Sequence, residues 1–145
     1  MLSQRLGAWL AGLWAGVLLC IAFIATPAPF AVLAKADAGR VVARIFAQEA
    51  YLSIALAVVL FLIVRKQARI AARSGTGSVL STNVLLVFGA LFCTVAGYFG
   101  VQPMLEAARA GEGAFSFGTL HTASVVFFAL KGLLVLALAW RLGGR

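Results

Sequence analysis

Four long apolar stretches occupy most of this chain, and each is long enough to cross a lipid bilayer as a helix. They run over residues 6–25, 41–64, 79–101 and 119–140. About 20 apolar residues span a hydrocarbon core roughly 30 Å thick, and in lipid the backbone must satisfy its own hydrogen bonds. The stretches therefore predict an all-α, four-helix transmembrane bundle of up-down-up-down topology. Its short connections leave a single integral membrane domain over residues 1–145, with no room for a soluble catalytic module.

The basic residues are distributed unevenly between the two predicted sides of the bundle. Arg65, Lys66, Arg69 and Arg73 lie between the second and third stretches, on the same predicted side as both chain ends. The positive-inside rule places that side, including both termini, in the cytoplasm. Basic residues next to a span also predict contact with anionic lipid, at roughly 1 kcal/mol for each charge near the surface. No basic face is interleaved with exposed aromatic residues, so we expect no nucleic-acid partner despite the net charge of +8.

Two ionisable residues inside the stretches are the first candidates for a functional role. A charged side chain at the middle of a membrane helix costs ~2.5–3.5 kcal/mol on insertion scales, so Glu49 and Lys131 should face the bundle interior. The lysine side chain leans outward along the fourth helix and can rise to the level of Glu49. We therefore predict a Glu49–Lys131 ion pair. Such a pair could fix the packing of the helices, or Glu49 could carry protons or couple to ions.

Further polar residues are expected near the same level, in the half of the bundle away from the cytosol. An interhelical hydrogen-bond network without a ligand is one interpretation of this predicted polar cluster. The other is an outward-facing cavity for a small polar or anionic solute, with Arg44 and His121 as donors. The predicted cluster consists of Arg44, Gln48, Glu49, Gln102, His121, Ser124 and Lys131.

The chain shows none of the usual constellations for catalysis or metal binding. There is no HExxH, CxxC or phosphate-binding loop, and no nucleophile paired with a base. His121 is the only histidine and has no clear second ligand, while Cys20 and Cys93 lie inside apolar stretches. We therefore expect a protein that is not an enzyme, with no catalytic residue, metal site or cofactor. A haem- or metal-binding redox protein remains an alternative.

Small residues predict where the helices approach closely and where they begin or end. Gly12 and Gly16 form a GxxxG spacing, which suits close packing of membrane helices. Asp37 is expected to cap the second helix, and Gln102-Pro103 to end the third. The third stretch repeats small or polar residues on one helical face, at Asn83, Ala90, Thr94 and Gly97.

Three patches of the chain resemble the transmembrane-protein-205-like family of small four-helix membrane proteins. The first patch runs from Gly12-Leu-Trp-Ala-Gly16 to Pro29-Phe30, and the second covers residues 38–51. The third combines Gln102-Pro103 with Leu120-His121-Thr122-Ala123-Ser124. The family often has glycine after the histidine, where this chain has Thr122. It often has an asparagine later in that helix, where this chain is apolar or has Lys131. The resemblance implies a membrane protein of an uncharacterised family that has bacterial members.

Together these features predict a non-enzymatic accessory or scaffold subunit in a bacterial inner (plasma) membrane. Its glycine-rich faces suggest a homo-oligomer or a place in a larger membrane complex. The principal alternative is a small transporter or channel subunit that uses the polar cluster to bind a small polar or anionic solute.

Overall fold

A computed structural model describes residues 2–144 and contains four long helices. They are α1 (Leu2–Val32), α2 (Lys35–Arg73), α3 (Thr82–Arg109) and α4 (Phe117–Gly143). All four are long and apolar enough to cross a membrane, and the described range contains no strand. The predicted all-α, four-helix transmembrane class is confirmed.

Contacts at the helix ends show that neighbouring helices run in opposite directions. Gly7, near the start of α1, lies against Ile63 of α2 and Leu142 of α4. At the same end, Arg141 Nε donates a hydrogen bond of 2.8 Å to Asn83 Oδ1 at the start of α3. We call this the basic end, because it carries the four basic residues in the last turns of α2. We call the opposite end the far end.

The four helices form a ring in which each contacts two neighbours. Helix α1 packs against α2 and α4, and α3 packs against the same two helices, so α2 and α4 lie on a diagonal of the bundle. The main core fills the half nearer the basic end, and most of its members are small or branched. Its largest fully buried side chains include Trp14, Leu18, Leu60, Val87, Val135 and Leu138.

Helices α1 and α3 both depart from regular α-helix in the half nearer the far end. Each contains a π-helical segment, Ile21–Ala25 in α1 and Val95–Gly100 in α3, shortly before Pro27 and Pro103 respectively. Proline lacks a backbone donor and its ring collides with the preceding turn, and a widened turn is one way to accommodate it. The chain then continues as helix to Val32 and to Arg109. The predicted end of the third helix at Gln102-Pro103 is therefore wrong.

Serine side chains cap two of the helices, whereas Asp37 does not cap α2. Ser81 and Ser116 cap α3 and α4, since their hydroxyl oxygens accept hydrogen bonds from Val84 N (3.4 Å) and Thr119 N (3.2 Å). Helix α2 instead begins at Lys35 without a side-chain cap. Asp37 lies within its first turn and pairs with Arg40, so its predicted capping role is wrong.

The bundle separates into two helix pairs toward the far end. Beyond its π-helical segment, α1 packs against α2 but not α4, and the Val101–Arg109 part of α3 packs against α4 but not α2. A small second core of Val101, Leu105 and Leu120 joins α3 to α4 there. The tightly packed half of the molecule is therefore the half that carries the basic end.

Candidate functional site

The predicted ion pair between Glu49 and Lys131 is present in the interior of the bundle. Lys131 Nζ donates a hydrogen bond of 2.6 Å to Glu49 Oε1. Only 4% of Glu49 and 3% of Lys131 is exposed. Because Glu49 belongs to α2 and Lys131 to α4, the pair connects the two helices on the diagonal and crosses the centre of the bundle.

Two further side chains extend the ion pair into a network that also includes α1. The Ser53 hydroxyl donates to the same carboxylate oxygen, Glu49 Oε1. Trp14 Nε1 donates in turn to Ser53 Oγ over 2.8 Å. Trp14 is fully buried and Ser53 is 1% exposed. These four residues, Trp14, Glu49, Ser53 and Lys131, form the central polar network.

An aromatic pair covers the network on the side of the far end. Lys131 Nζ lies 5.0 Å from the centroid of the Phe128 ring, within the range of a cation–π interaction. Phe128 meets Phe46 of α2 edge to face, with 5.2 Å between ring centroids. Both rings lie about one turn nearer the far end than the ion pair, so they separate it from the region where the helix pairs diverge.

The central polar network lies well inside the length of its helices. At 1.5 Å per residue, Glu49 is about 21 Å along α2 from Lys35 and about 24 Å from Arg65. Lys131 is about 21 Å along α4 from Phe117. The network therefore lies near the middle of the helices.

The other five residues of the predicted cluster do not join the ion pair. Arg44, Gln48 and His121 are exposed, whereas Gln102 and Ser124 are partly buried. Within residues 2–144, the hydrogen bonds of the ion pair run to Ser53 and, through it, to Trp14, and none runs to these five.

His121 belongs to a separate aromatic group at the start of α4. Its ring stacks on Phe117 with 5.8 Å between centroids, and the Arg109 guanidinium lies 5.2 Å from the centroid of the same Phe117 ring. No three His, Cys, Asp or Glu residues of the described chain come close enough together to hold a metal ion. Both cysteines are free, Cys20 at the surface and Cys93 in the interior.

Trp14 and Ser53 are the network residues that the sequence analysis misses. Ser53 follows Glu49 by four residues, a spacing that places both on one helical face, so a signal was present. Trp14 lies on another helix, inside the GxxxG segment, and no spacing along the chain connects it to Ser53. Its indole N–H needs a partner when buried, and that requirement is the only indication of its role.

Comparison with known proteins identifies a family without a described activity. No curated protein and no solved structure matches this chain significantly. The family described as "Domain of unknown function (DUF4149)" matches residues 9–114. The matched range contains Trp14, Glu49 and Ser53 but ends before α4 and Lys131. A link to the transmembrane-protein-205-like family stays a prediction, while the match over most of its length shows that the chain belongs to the DUF4149 family of uncharacterised domains.

Proposed function

We propose that this small membrane protein is a non-enzymatic scaffold subunit, whose central polar network locks the helices into one arrangement. The resemblance to the transmembrane-protein-205-like family, a bacterial inner-membrane location and cytoplasmic termini are part of the same proposal. The observation that carries the scaffold proposal is the tightly packed apolar core between the network and the basic end.

In the described part of the chain, the buried side chains between the ion pair and the basic end are mostly apolar. Leu60, Val64, Val135 and Leu138 are each at most 1% exposed and line this half of the interior. The described chain has two buried polar side-chain atoms without a partner, and neither belongs to the network. Charged groups that serve transport normally face a wet cavity. A network whose polar groups find their partners within the protein, next to an apolar core, instead favours a structural role. In such a role the buried ionic groups specify how the helices pack.

One face of α1 is suited to assembly with a second copy of the chain. Trp9 and Leu13 are 79% and 61% exposed. Gly12 and Gly16 have no neighbouring atom within 4 Å of the point where a side chain would begin. Their GxxxG spacing is therefore not used for packing inside the bundle. Trp9 also borders a surface recess of about 390 Å³ that Gly12 and Leu13 help to line.

A protrusion and a recess on one face allow two copies to pack through identical surfaces. Helical spacing places Trp9, Gly12, Leu13 and Gly16 on the same side of α1. In a two-fold arrangement each tryptophan can fill the recess of the other copy, and the glycines allow the two backbones to approach closely. A homodimer through α1 is the scaffold assembly that we propose.

Cysteine cross-linking in native membranes tests this assembly. In a Cys20→Ala/Cys93→Ala background, Leu13→Cys should give a covalent dimer after mild oxidation, because Leu13 lies beside the proposed axis. Leu133→Cys on α4 is the matched control, since Leu133 is 64% exposed but lies on another face. It should stay monomeric, and Gly12→Leu/Gly16→Leu should abolish the Leu13→Cys dimer. Equal cross-linking at both positions, or none at Leu13→Cys, contradicts the proposal.

The second candidate function is a transporter or channel subunit for a small polar or anionic solute. The separation of the two helix pairs at the far end favours it, because exposed Arg44 and His121 lie on that part of the molecule. This function requires flux of a solute into vesicles that contain the purified protein. Its loss in an Arg44→Gln/His121→Gln variant, with no loss in a Lys66→Gln control, would support transport over scaffolding.

A further inference from the structure

The last turns of α2 carry a groove that combines basic and apolar side chains. The groove has a volume of about 340 Å³. Its walls are two adjacent rows of residues, each with a spacing of four, so both rows follow the helix on one side. One row consists of Leu62, Lys66 and Ile70, and the other of Arg65, Arg69 and Arg73.

The length of α2 places this groove at the level of the lipid headgroups. Helix α2 has 39 residues and is therefore about 58 Å long, whereas a bilayer with its headgroups is about 40–45 Å thick. The uncharged run that must lie in hydrocarbon ends at Val64. Residues 65–73 therefore extend through the headgroup region, while Leu62 remains at the edge of the hydrocarbon.

No carboxylate side chain of this protein is available to neutralise the groove. The chain has only four acidic residues. Asp37 pairs with Arg40, and Glu49 pairs with Lys131 in the bundle centre. Glu106 and Glu112 lie in or just after the last turns of α3, at the far end. The four basic residues of the groove are all exposed, and no acidic side chain pairs with them in the described part of the chain.

The apolar residues of the groove distinguish a lipid from a soluble anion. Leu62 and Ile70 are each 59% exposed and border the basic residues. The Arg65 guanidinium lies 5.6 Å from the centroid of the Phe61 ring, which holds it close to the apolar surface. A ligand that fits both features has a negatively charged phosphate joined to hydrocarbon.

We propose that this groove binds the headgroup of an anionic phospholipid, with the phosphate among Arg65, Lys66 and Arg69 and the acyl chains along Leu62. Arginine suits this role because its planar guanidinium can donate two hydrogen bonds to one phosphate. Helix α2 thereby acquires a fixed lipid at one site, in addition to the diffuse attraction of a basic surface. This inference does not depend on the α1 dimer.

Native mass spectrometry of the full chain with added phospholipid tests the proposal. The wild-type protein should retain phosphatidylglycerol in preference to phosphatidylcholine. Arg65→Gln/Arg69→Gln/Arg73→Gln should weaken phosphatidylglycerol binding tenfold or more, since each basic residue near a membrane surface contributes roughly fivefold. The matched control Lys35→Gln/Arg40→Gln/Arg109→Gln removes the same charge at the far end and should bind as the wild type does. Equal losses in both variants would show only general attraction and overturn the site.

Two measurements on the wild-type protein make the result independent of how well the variants fold. A photoactivatable phosphatidylglycerol should cross-link within residues 62–73, and cross-links elsewhere alone would overturn the proposal. Inorganic phosphate at the concentration of the lipid should leave its binding unchanged, because it lacks the hydrocarbon that contacts Leu62. Full displacement by phosphate would instead indicate a site for a bare anion and overturn the assignment to a lipid.

Discussion

Glu49 Oε1 accepts hydrogen bonds from two donors on different helices, Lys131 Nζ on α4 and Ser53 Oγ on α2. A lone carboxylate at this depth would be costly, because neither lipid nor the surrounding side chains can replace its hydration. The ammonium group of Lys131 balances its charge, and the Trp14 indole orients Ser53 toward it. Each member of the network thus depends on the others for a partner.

Single and paired substitutions of the ion pair should show this dependence. Lys131→Met and Glu49→Gln each leave the other charge buried without a counter-ion, so each should lower the free energy of unfolding by about 3–5 kcal/mol. The Glu49→Gln/Lys131→Met variant leaves no buried charge and should be destabilised by much less than the sum. Unfolding by denaturant in detergent micelles measures all three, with Lys66→Met at the surface as the control. Additive losses would mean that the two residues do not act as a pair.

The sequence predicts the two charged residues of the network but not the two neutral ones. Glu49 and Lys131 are conspicuous because charge inside an apolar stretch demands compensation, and helical geometry brings them to a common level. Trp14 and Ser53 are ordinary residues of membrane helices, and their roles appear only once α1 and α2 are packed. Arg44, Gln48 and His121 are exposed and do not contact the ion pair, so the sequence alone does not indicate which polar residues of the predicted cluster face the interior.

At the scale of helices, α3 approaches α4 through the face that its small residues predict. Asn83, Ala90 and Thr94 are buried along this face. Gly97 completes it where the backbone of α3 passes Phe127 of α4. A side-chain carbon added at Gly97 would lie 2.6 Å from Phe127 Cβ, closer than two carbon atoms can pack. The absence of a side chain at this position therefore sets the distance between the two helices.

Substitution of Gly97 should disturb the pairing of α3 with α4. Gly97→Ala forces the two helices apart, and overpacking of this kind typically costs about 1–3 kcal/mol. Gly132→Ala in α4 is the control, because no atom lies within 4 Å of its added carbon. Thermal melting in detergent should show a lower midpoint for Gly97→Ala and no decrease for Gly132→Ala. Equal midpoints for Gly97→Ala and the wild type would contradict the close approach.

The lengths of the apolar stretches predict that four helices exist but do not predict where they end. The apolar stretches mark only the hydrocarbon-crossing parts, whereas α2 extends to Lys35 and Arg73 through residues that the headgroup region can solvate. Pro103 leads to a wrong prediction of a helix end for a different reason. A π-helical turn before Pro103 accommodates the missing donor, so α3 passes through a position that would end a regular helix.

At the scale of the whole molecule, charge is separated between the two ends of the bundle. Basic residues dominate one end, while Asp37, Glu106 and Glu112 balance several cations at the other. The antiparallel order of the helices brings both described chain ends to the basic end. The positive-inside rule then predicts that this end faces the cytoplasm.

Tags at the two termini should report one orientation. Both tags should be protected from an impermeant reagent in intact cells and become accessible after lysis. Replacing Arg65, Lys66, Arg69 and Arg73 with glutamine removes most of the asymmetry and should give a mixed population. The same number of substitutions among Lys35, Arg40, Arg44 and Arg109 should preserve the orientation. Accessible tags in intact cells that express the wild-type protein would contradict the predicted topology.

The diagonal position of the ion pair also has a consequence for biogenesis. Synthesis of α1, α2 and α3 precedes that of α4, so Glu49 enters the bilayer before its cationic partner, Lys131, is made. Ser53 and Trp14 are already available to the nascent chain, and they can shelter the carboxylate until Lys131 arrives. We therefore expect a chain truncated before residue 131 to be less stable in the membrane than the full chain, because its Glu49 carboxylate lacks the Lys131 counter-ion.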